Sequence, residues 1–254
     1  MTDRSLSMLI HGNSKVGKST FAVTAPYPRL YLDVESASRF LPITRKVWDP
    51  FTEPIPVFDG SFDTVVVYTR DFDTMLKVYQ RINEEDHQFK SLIIDSVSEL
   101  QVRLREQLVG REALRMQDWG TMLTVLSGLL RDIRDLTMHP RNPLEAIVLT
   151  AMTTVDADGM HKPLLQGQTG TQLPYWFDVV GYLYVDQVAD SNPQNPPREV
   201  RRLLTRKHPQ YEAGERVQGR LDNPIDNPNI VEMLDKVFPH TVETQSNNDK
   251  QESK

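Results

Sequence analysis

The sequence predicts an α/β fold: a mostly parallel central sheet flanked by helices, with antiparallel strands at the C-terminal side. Three observations carry this expectation. An apolar segment, Leu6-Ser7-Met8-Leu9-Ile10, runs straight into a glycine-bounded loop and then into a helix start. A second apolar run, Ser91-Leu92-Ile93-Ile94-Asp95, ends in a carboxylate, the pattern of a central parallel strand covered on both faces. Strand-like runs alternate with helix-periodic segments along most of the chain, which implies right-handed crossovers.

Each element follows in order. Lys18 to Ala25 reads as a helix stopped by Pro26 and Pro28, and Arg29 to Leu32 as a short strand ending at Asp33. Residues 41 to 62 hold Pro42, Pro50, Pro54 and Pro56 and read as an irregular insertion. Thr64 to Tyr68 resumes as strand. From Asp73, a good N-cap, to Glu85 the apolar residues Met75, Val78, Tyr79 and Ile82 fall at helical spacing. After Asp95, Val97, Leu100, Leu104 and Leu108 share a helix face; a polar break spans Gly110 to Asp118. A longer helix follows with the stripe Met122, Leu126, Leu129, Ile133 and Leu136, closed by Pro140 and Pro143. Ala146 to Thr150 is a further buried strand, Thr153 to Gln172 a polar, glycine-containing loop, and Val179 to Val185 with Val200 to Thr205 a closing pair of strands. Asn229 to Phe238 reads as the last helix. Residues 1–240 form one core, and 241–254, without an apolar residue from Glu243 onward, read as a disordered polar tail.

Composition narrows the chemistry. The chain of 254 residues has no cysteine, which excludes disulfides, thiol catalysis and cysteine-based zinc sites, and its six histidines are scattered. No stretch approaches the roughly 20 apolar residues that cross a bilayer, so a cytoplasmic protein without membrane contact is expected. The net charge of -6 counts against a surface that attracts nucleic acid everywhere. From Arg198 to Arg220, however, seven Lys or Arg face three acids, either a local anion-binding segment or a strand edge protected by charge.

Gly12-Asn13-Ser14-Lys15-Val16-Gly17-Lys18-Ser19 satisfies G-x-x-x-x-G-K-[ST] and lies between a strand and a helix, the context the motif requires. In such a loop backbone N–H groups curl around a β-phosphate, and Gly12 and Gly17 permit the tight path. Lys18 is expected to bridge the β- and γ-phosphates of ATP, Ser19 to offer its hydroxyl to Mg²⁺, and Thr20 to continue the binding segment. Lys15, at the crest, is either a solvated charge or a contact to a phosphate or neighbouring subunit. Asp95, ending its strand beside the loop, is expected to hold Mg²⁺, with an N-cap for the following helix as the alternative. Asp33 and Glu35 follow the second strand, and Glu35 is either the carboxylate that orients a water for attack or a surface acid.

These residues together resemble the ATPase core of the RecA superfamily. The resemblance rests on the phosphate loop, Tyr31-Leu32-Asp33-Val34-Glu35 and Ile93-Ile94-Asp95-Ser96, and is supported by Asp118-Trp119-Gly120, Pro163-Leu164-Leu165-Gln166-Gly167, Leu173-Pro174 and Phe177-Asp178-Val179-Val180. It is greatest to phage-encoded, core-only RecA-like proteins, the single-strand annealing recombinases also labelled AAA-type. It implies that Glu35 is catalytic and that an arginine reaches a neighbour's γ-phosphate. Of the family's Lys-x-Arg pair, Gly214-Glu215-Arg216-Val217-Gln218-Gly219 keeps only Arg216, the candidate finger or else a surface arginine. The polar sensor expected after Ala146–Thr150 is replaced by Ala151-Met152-Thr153, leaving Thr150 or Thr153 to serve.

The resemblance further implies two DNA-facing loops, Leu108 to Asp118 with Arg111 and Arg115, and Thr153 to Gln172 with His161 and Lys162. Tyr175-Trp176-Phe177 could stack bases or fill the core, and Phe40 and Trp48 could stack on adenine or pack under the insertion. Two functions of different class remain open. One is a single-stranded-DNA-dependent ATPase, assembled as a ring or filament of identical subunits and aided by a single-strand DNA-binding protein, that promotes annealing or strand exchange. The other is a nucleotide-controlled adaptor or helicase-loading partner, with a helicase-type ATPase a further option.

Overall fold

The computed structural model describes residues 4–110, 112–113, 115–189 and 194–239. In chain order the strands are β1 (Leu6–His11), β2 (Arg29–Asp33), β3 (Arg45–Val47), β4 (Thr64–Tyr68), β5 (Ser91–Asp95), β6 (Ala146–Ala151), β7 (Thr153–Val155), β8 (His161–Pro163), β9 (Val179–Val188), β10 (Arg198–Leu204), β11 (Gly214–Glu215) and β12 (Ile225–Asp226). The helices are α1 (Lys18–Ala22), α2 (Phe72–Glu84), α3 (Val97–Val109), α4 (Met116–Asp135), α5 (Gln168–Gln172) and α6 (Ile230–Val237).

The strand order is β12-β10-β9-β1-β6-β5-β2-β4-β3, with β11 beside β9, making a 10-stranded sheet. From β9 to β3 every neighbouring pair is parallel, and β10, β11 and β12 pair antiparallel at the C-terminal side. The expected fold class is thus the observed one. β1 sits inside the sheet, and all six of its residues are buried.

Alternation along the strands divides the core into two layers. Leu9, Leu30, Leu32, Leu92, Ile94, Ile147 and Leu149 face the layer formed by α2, α3 and α4. Leu6, Met8, Ile10, Tyr31, Ile93 and Val148 face α1 and α6. Burial of both faces explains why these strands read as unbroken apolar runs rather than as alternating ones.

Several sequence expectations are corrected. α1 ends at Ala22 rather than Ala25. α2 is capped by Asp71, whose Oδ1 accepts from Thr74 N at 2.7 Å; Asp73 falls inside the first turn. Leu108 is 38% exposed, whereas Val97, Leu100 and Leu104 are buried, so the apolar face covers only the first part of α3. The long helix starts at Met116, inside the expected break. The segment 41 to 62 contributes β3 to the sheet edge, and 153 to 172 folds into the β7–β8 hairpin and α5. Trp48, Trp176 and Phe177 are core residues, while Tyr175 is 73% exposed. The proposed tail, residues 241–254, lies outside the described residues.

Candidate nucleotide-binding site

The chain leaves β1 at His11 and turns through Gly12–Gly17 into α1. Gly12 packs so tightly on β9 that a Cβ there would collide with the Leu183 carbonyl. Gly17 has φ 99°, a left-handed conformation, and a Cβ on it would lie 2.6 Å from Arg201 Nε. Lys15, exposed at the crest, also takes a positive φ of 63°. Lys18 Nζ donates to Gly12 O at 2.8 Å and Asn13 O at 2.9 Å, so the ammonium lies inside the curl of the loop. Desolvation lowers its pKa, opposed by the charges of Asp95 and Glu35.

A cleft of about 630 Å³ opens here, lined by Gly12 to Lys15, Gly17 to Thr20, Glu35, Phe40, Asp95, Thr153 and Arg201. Among the expected loop residues Val16 differs, since it packs against the core under α1 rather than lining the cleft. Phe40, 78% exposed, stands at the cleft wall, whereas Trp48 is buried elsewhere in the core.

Asp95 is 4% exposed and is held by two hydroxyls: Thr150 donates to Oδ1 and Tyr31 to Oδ2. Ser19 lies beside the Tyr31 hydroxyl, so the phenol stands between the loop serine and the strand-end carboxylate. Burial first, then the negative charge of Asp95, pushes the Tyr31 pKa up, which keeps the phenol protonated and donating. Asp95 does not cap α3. Ser96 does, with Oγ accepting from Glu99 N at 3.3 Å, and the same hydroxyl donates to Glu35 Oε1. Asp33 accepts from Ala37 N at 2.9 Å and Ser38 N at 3.0 Å, which folds the turn that presents Glu35 to the cleft. Desolvation of its carboxyl end raises the Glu35 pKa; the Ser96 hydrogen bond opposes this and the Asp95 charge adds to it.

The first turns of α3 bind more than Glu35. Ser98 Oγ accepts from Met152 N at 2.9 Å, and Gln101 clamps Gln166 through both its amide atoms, accepting from Gln166 N at 2.6 Å and donating to Gln166 O at 3.1 Å. On the other side of the loop, buried His11 bonds Thr153 Oγ1 at 3.0 Å and Glu212 O at 2.7 Å. Thr150 therefore supports Asp95, and Thr153 supports His11.

A family model for an AAA domain matches residues 4–217, most of the chain. The chain belongs to the AAA domain family. No curated protein matches it. As an AAA domain it is a nucleotide-binding protein of the P-loop type, and the loop, Lys18, Ser19 and Asp95 line one cleft. No described helix is long and apolar enough to cross a membrane.

The remaining expected residues of the AAA domain are dispersed. Arg216 stands at the opposite end of the sheet, beside a cavity of about 520 Å³ that includes Ser7 and Asp178; it donates to Tyr175 O and lies 3.9 Å from Asp178 Oδ1. Within one chain it is remote from Lys18. Arg111 lies outside the described residues. Arg115 precedes α4 and pairs with Glu112 at 3.9 Å. His161 packs on Tyr211 and Tyr182, with ring centroids 4.9 and 5.7 Å away, and Lys162 Nζ is 2.5 Å from Asp156 Oδ2. Sequence reasoning missed Tyr31 and Arg201, the first concealed in an apolar strand and the second in a run of basic residues.

Proposed function

We propose that this AAA domain binds Mg²⁺-ATP and hydrolyses it, and that it works as a RecA-like recombinase or annealing protein on single-stranded DNA. The observation that carries the hydrolysis is the convergence of Lys18, Ser19, Asp95 and Glu35 on one cleft. The donor set suits the ligand. Lys18 has its ammonium on two loop carbonyls and near two carboxylates, which matches a triphosphate charge. Ser19 and Asp95, on either side of the Tyr31 hydroxyl, provide hard oxygen ligands of the kind Mg²⁺ takes.

The ion would supply charge neutralisation at the phosphates and a fixed orientation. Lys18 balances charge on the phosphates. Tyr31 and Thr150 hold the Asp95 carboxylate in one orientation. Glu35, with its pKa raised and its carboxylate held by Ser96, is suited to take a proton from an attacking water. Phe40 and Thr153 line the same cleft.

The DNA reading is supported by how the second of the two loops meets α4. Gly167 packs on Trp119, 37% exposed, and the groove between α4 and Gln166–Thr169 holds about 330 Å³ of aromatic and amide surface, suited to stacking and hydrogen bonding with a single strand. Gln101 and Ser98 tie that region to α3, the helix that follows Asp95 and is capped by Ser96. Arg216 would act from a neighbouring subunit, in a ring or filament. The adaptor reading is favoured by the pairing of Lys162 with Asp156 and by the net charge of -6.

Measuring ATP turnover with and without single-stranded DNA, with particle size followed in parallel, decides between them. Severalfold stimulation with growth into a larger assembly supports the recombinase; turnover and size both indifferent to DNA would overturn it and leave the adaptor.

A further inference from the structure

Arg201 is the arginine nearest the loop's second glycine, and it arrives from a strand that the motif does not include. Its side chain lies against Gly17, with Nε 2.6 Å and Cδ 3.1 Å from where a Cβ would sit. It lines the main cleft and also an adjoining cavity of about 130 Å³ formed with Thr20, Thr24, Asn227 and Pro228. Its neighbour Arg202 points to two carboxylates, Asp186 and Asp226. Arg201 is exposed, and among the described residues its guanidinium has no hydrogen bond or ion pair. A five-donor fork parked at a phosphate loop without an acid to satisfy it is suited to an anion.

Sheet order gives the direction. On one side of β1 stand β6, β5 and β2, which bring Thr150, Asp95 and Glu35; on the other stand β9, β10 and β12, which bring Arg201 and the Asn227 end of the adjoining cavity. Hydrolysis requires the γ-phosphate to lie toward the carboxylates. The remaining phosphates and the nucleoside then extend toward β10. We propose that Arg201 grips the α- and β-phosphates of the nucleotide from within the same chain, and that the cavity bounded by Thr20, Thr24, Asn227 and Pro228 receives the nucleoside end. This rests on the ATP reading above and adds to it which way round the ligand lies.

The test is equilibrium binding of ATP and of ADP to the full chain and to Lys18→Ala, Arg201→Ala and Arg201→Lys, with thermal unfolding to verify that each variant is folded. In β10, Arg201 pairs with Val185 of β9, and its carbonyl accepts from Asn227 N at 2.7 Å, contacts that do not need the side chain. Because a charge-assisted bond to phosphate is lost, Arg201→Ala should weaken ATP and ADP by the same factor, roughly ten- to a hundredfold. Arg201→Lys, which keeps the charge and loses the fork, should fall between. If Arg201→Ala binds both nucleotides as the natural chain does while Lys18→Ala does not, the Arg201 inference alone is overturned. If ATP weakens and ADP does not, the guanidinium meets the γ-phosphate and the orientation is wrong. If the natural chain binds neither nucleotide, the ATP reading itself fails.

Discussion

Replacing Tyr31 with phenylalanine removes one oxygen from the centre of the site. The ring is fully buried and stays, so no cavity larger than a hydroxyl forms. What disappears is the donor to Asp95 Oδ2. Asp95, 4% exposed, keeps Thr150 and cannot recruit bulk water freely in its place. A hydrogen bond to a charged group has a net worth of about 1.5–3 kcal/mol. With an unfolding entropy of roughly 0.5 kcal/mol/K for a domain of this size, Tm should fall by about 3–6 °C. Thermal and urea unfolding of Tyr31→Phe, Asp95→Asn and the double variant would close a cycle, and a coupling of at least about 1 kcal/mol is expected between the two positions. In turnover assays the Mg²⁺ concentration for half-maximal rate should rise, because the phenol no longer aims Asp95 toward Ser19. An unchanged Tm in Tyr31→Phe, or additive effects in the cycle, would refute the bridge.

Other outcomes are expected from the same geometry. Lys18→Ala should abolish ATP binding or turnover in a direct binding assay, while Lys15→Ala, at the exposed crest, should change it severalfold at most; equal losses would show the loop to be misassigned. Glu35→Gln should retain ATP and lose turnover by about 10²-fold or more. The acidic limb of the natural chain's rate profile should lie above pH 4.5, the ordinary glutamate value, since burial raises this pKa; a limb below it would exclude Glu35 as the base. Burial holds His11 neutral, with its pKa pushed down to about 4 from 6.5, so the unfolded chain takes up its proton first as pH falls. The stability it contributes is intact above pH 6.5 and declines as pH drops through that value toward 4, by up to about 3 kcal/mol. His87 carries a similar shift, so His11→Gln should reduce the slope of unfolding free energy against pH in this window without removing it. Chelation with EDTA should stop turnover and restore it on addition of Mg²⁺; activity that persists would remove the ion from the reaction.

The central strands and the phosphate loop were legible because their signals are local: a strand buried on both faces is apolar throughout, and the loop motif needs only consecutive residues. Asp95 was legible for the same reason. What escaped depends on register or on short polar pieces. Tyr31 lies opposite Ile93, and its hydroxyl reaches Asp95, two residues further on the same face; an isolated strand gives no hint of that, and the residue reads as core. Arg201 meets Gly17 only because β10 lies two strands from β1. β3 was hidden because Arg45-Lys46-Val47 is an exposed edge strand among prolines, and the β7–β8 hairpin because Thr-Thr-Val and His-Lys-Pro are too short to show a hydrophobic period. Asp71 and Asp73 are equally good caps by type, and only the extended backbone of Asp71 separates them.

The opening of α3 has a mechanical consequence. Within six residues it holds the hydroxyl on Glu35, the hydroxyl on Met152 and the amide on Gln166. A helix is stiff along its axis, so a slide of one ångström there loosens all three grips together. Glu35 and the segment that leans on Trp119 are levers on one axle.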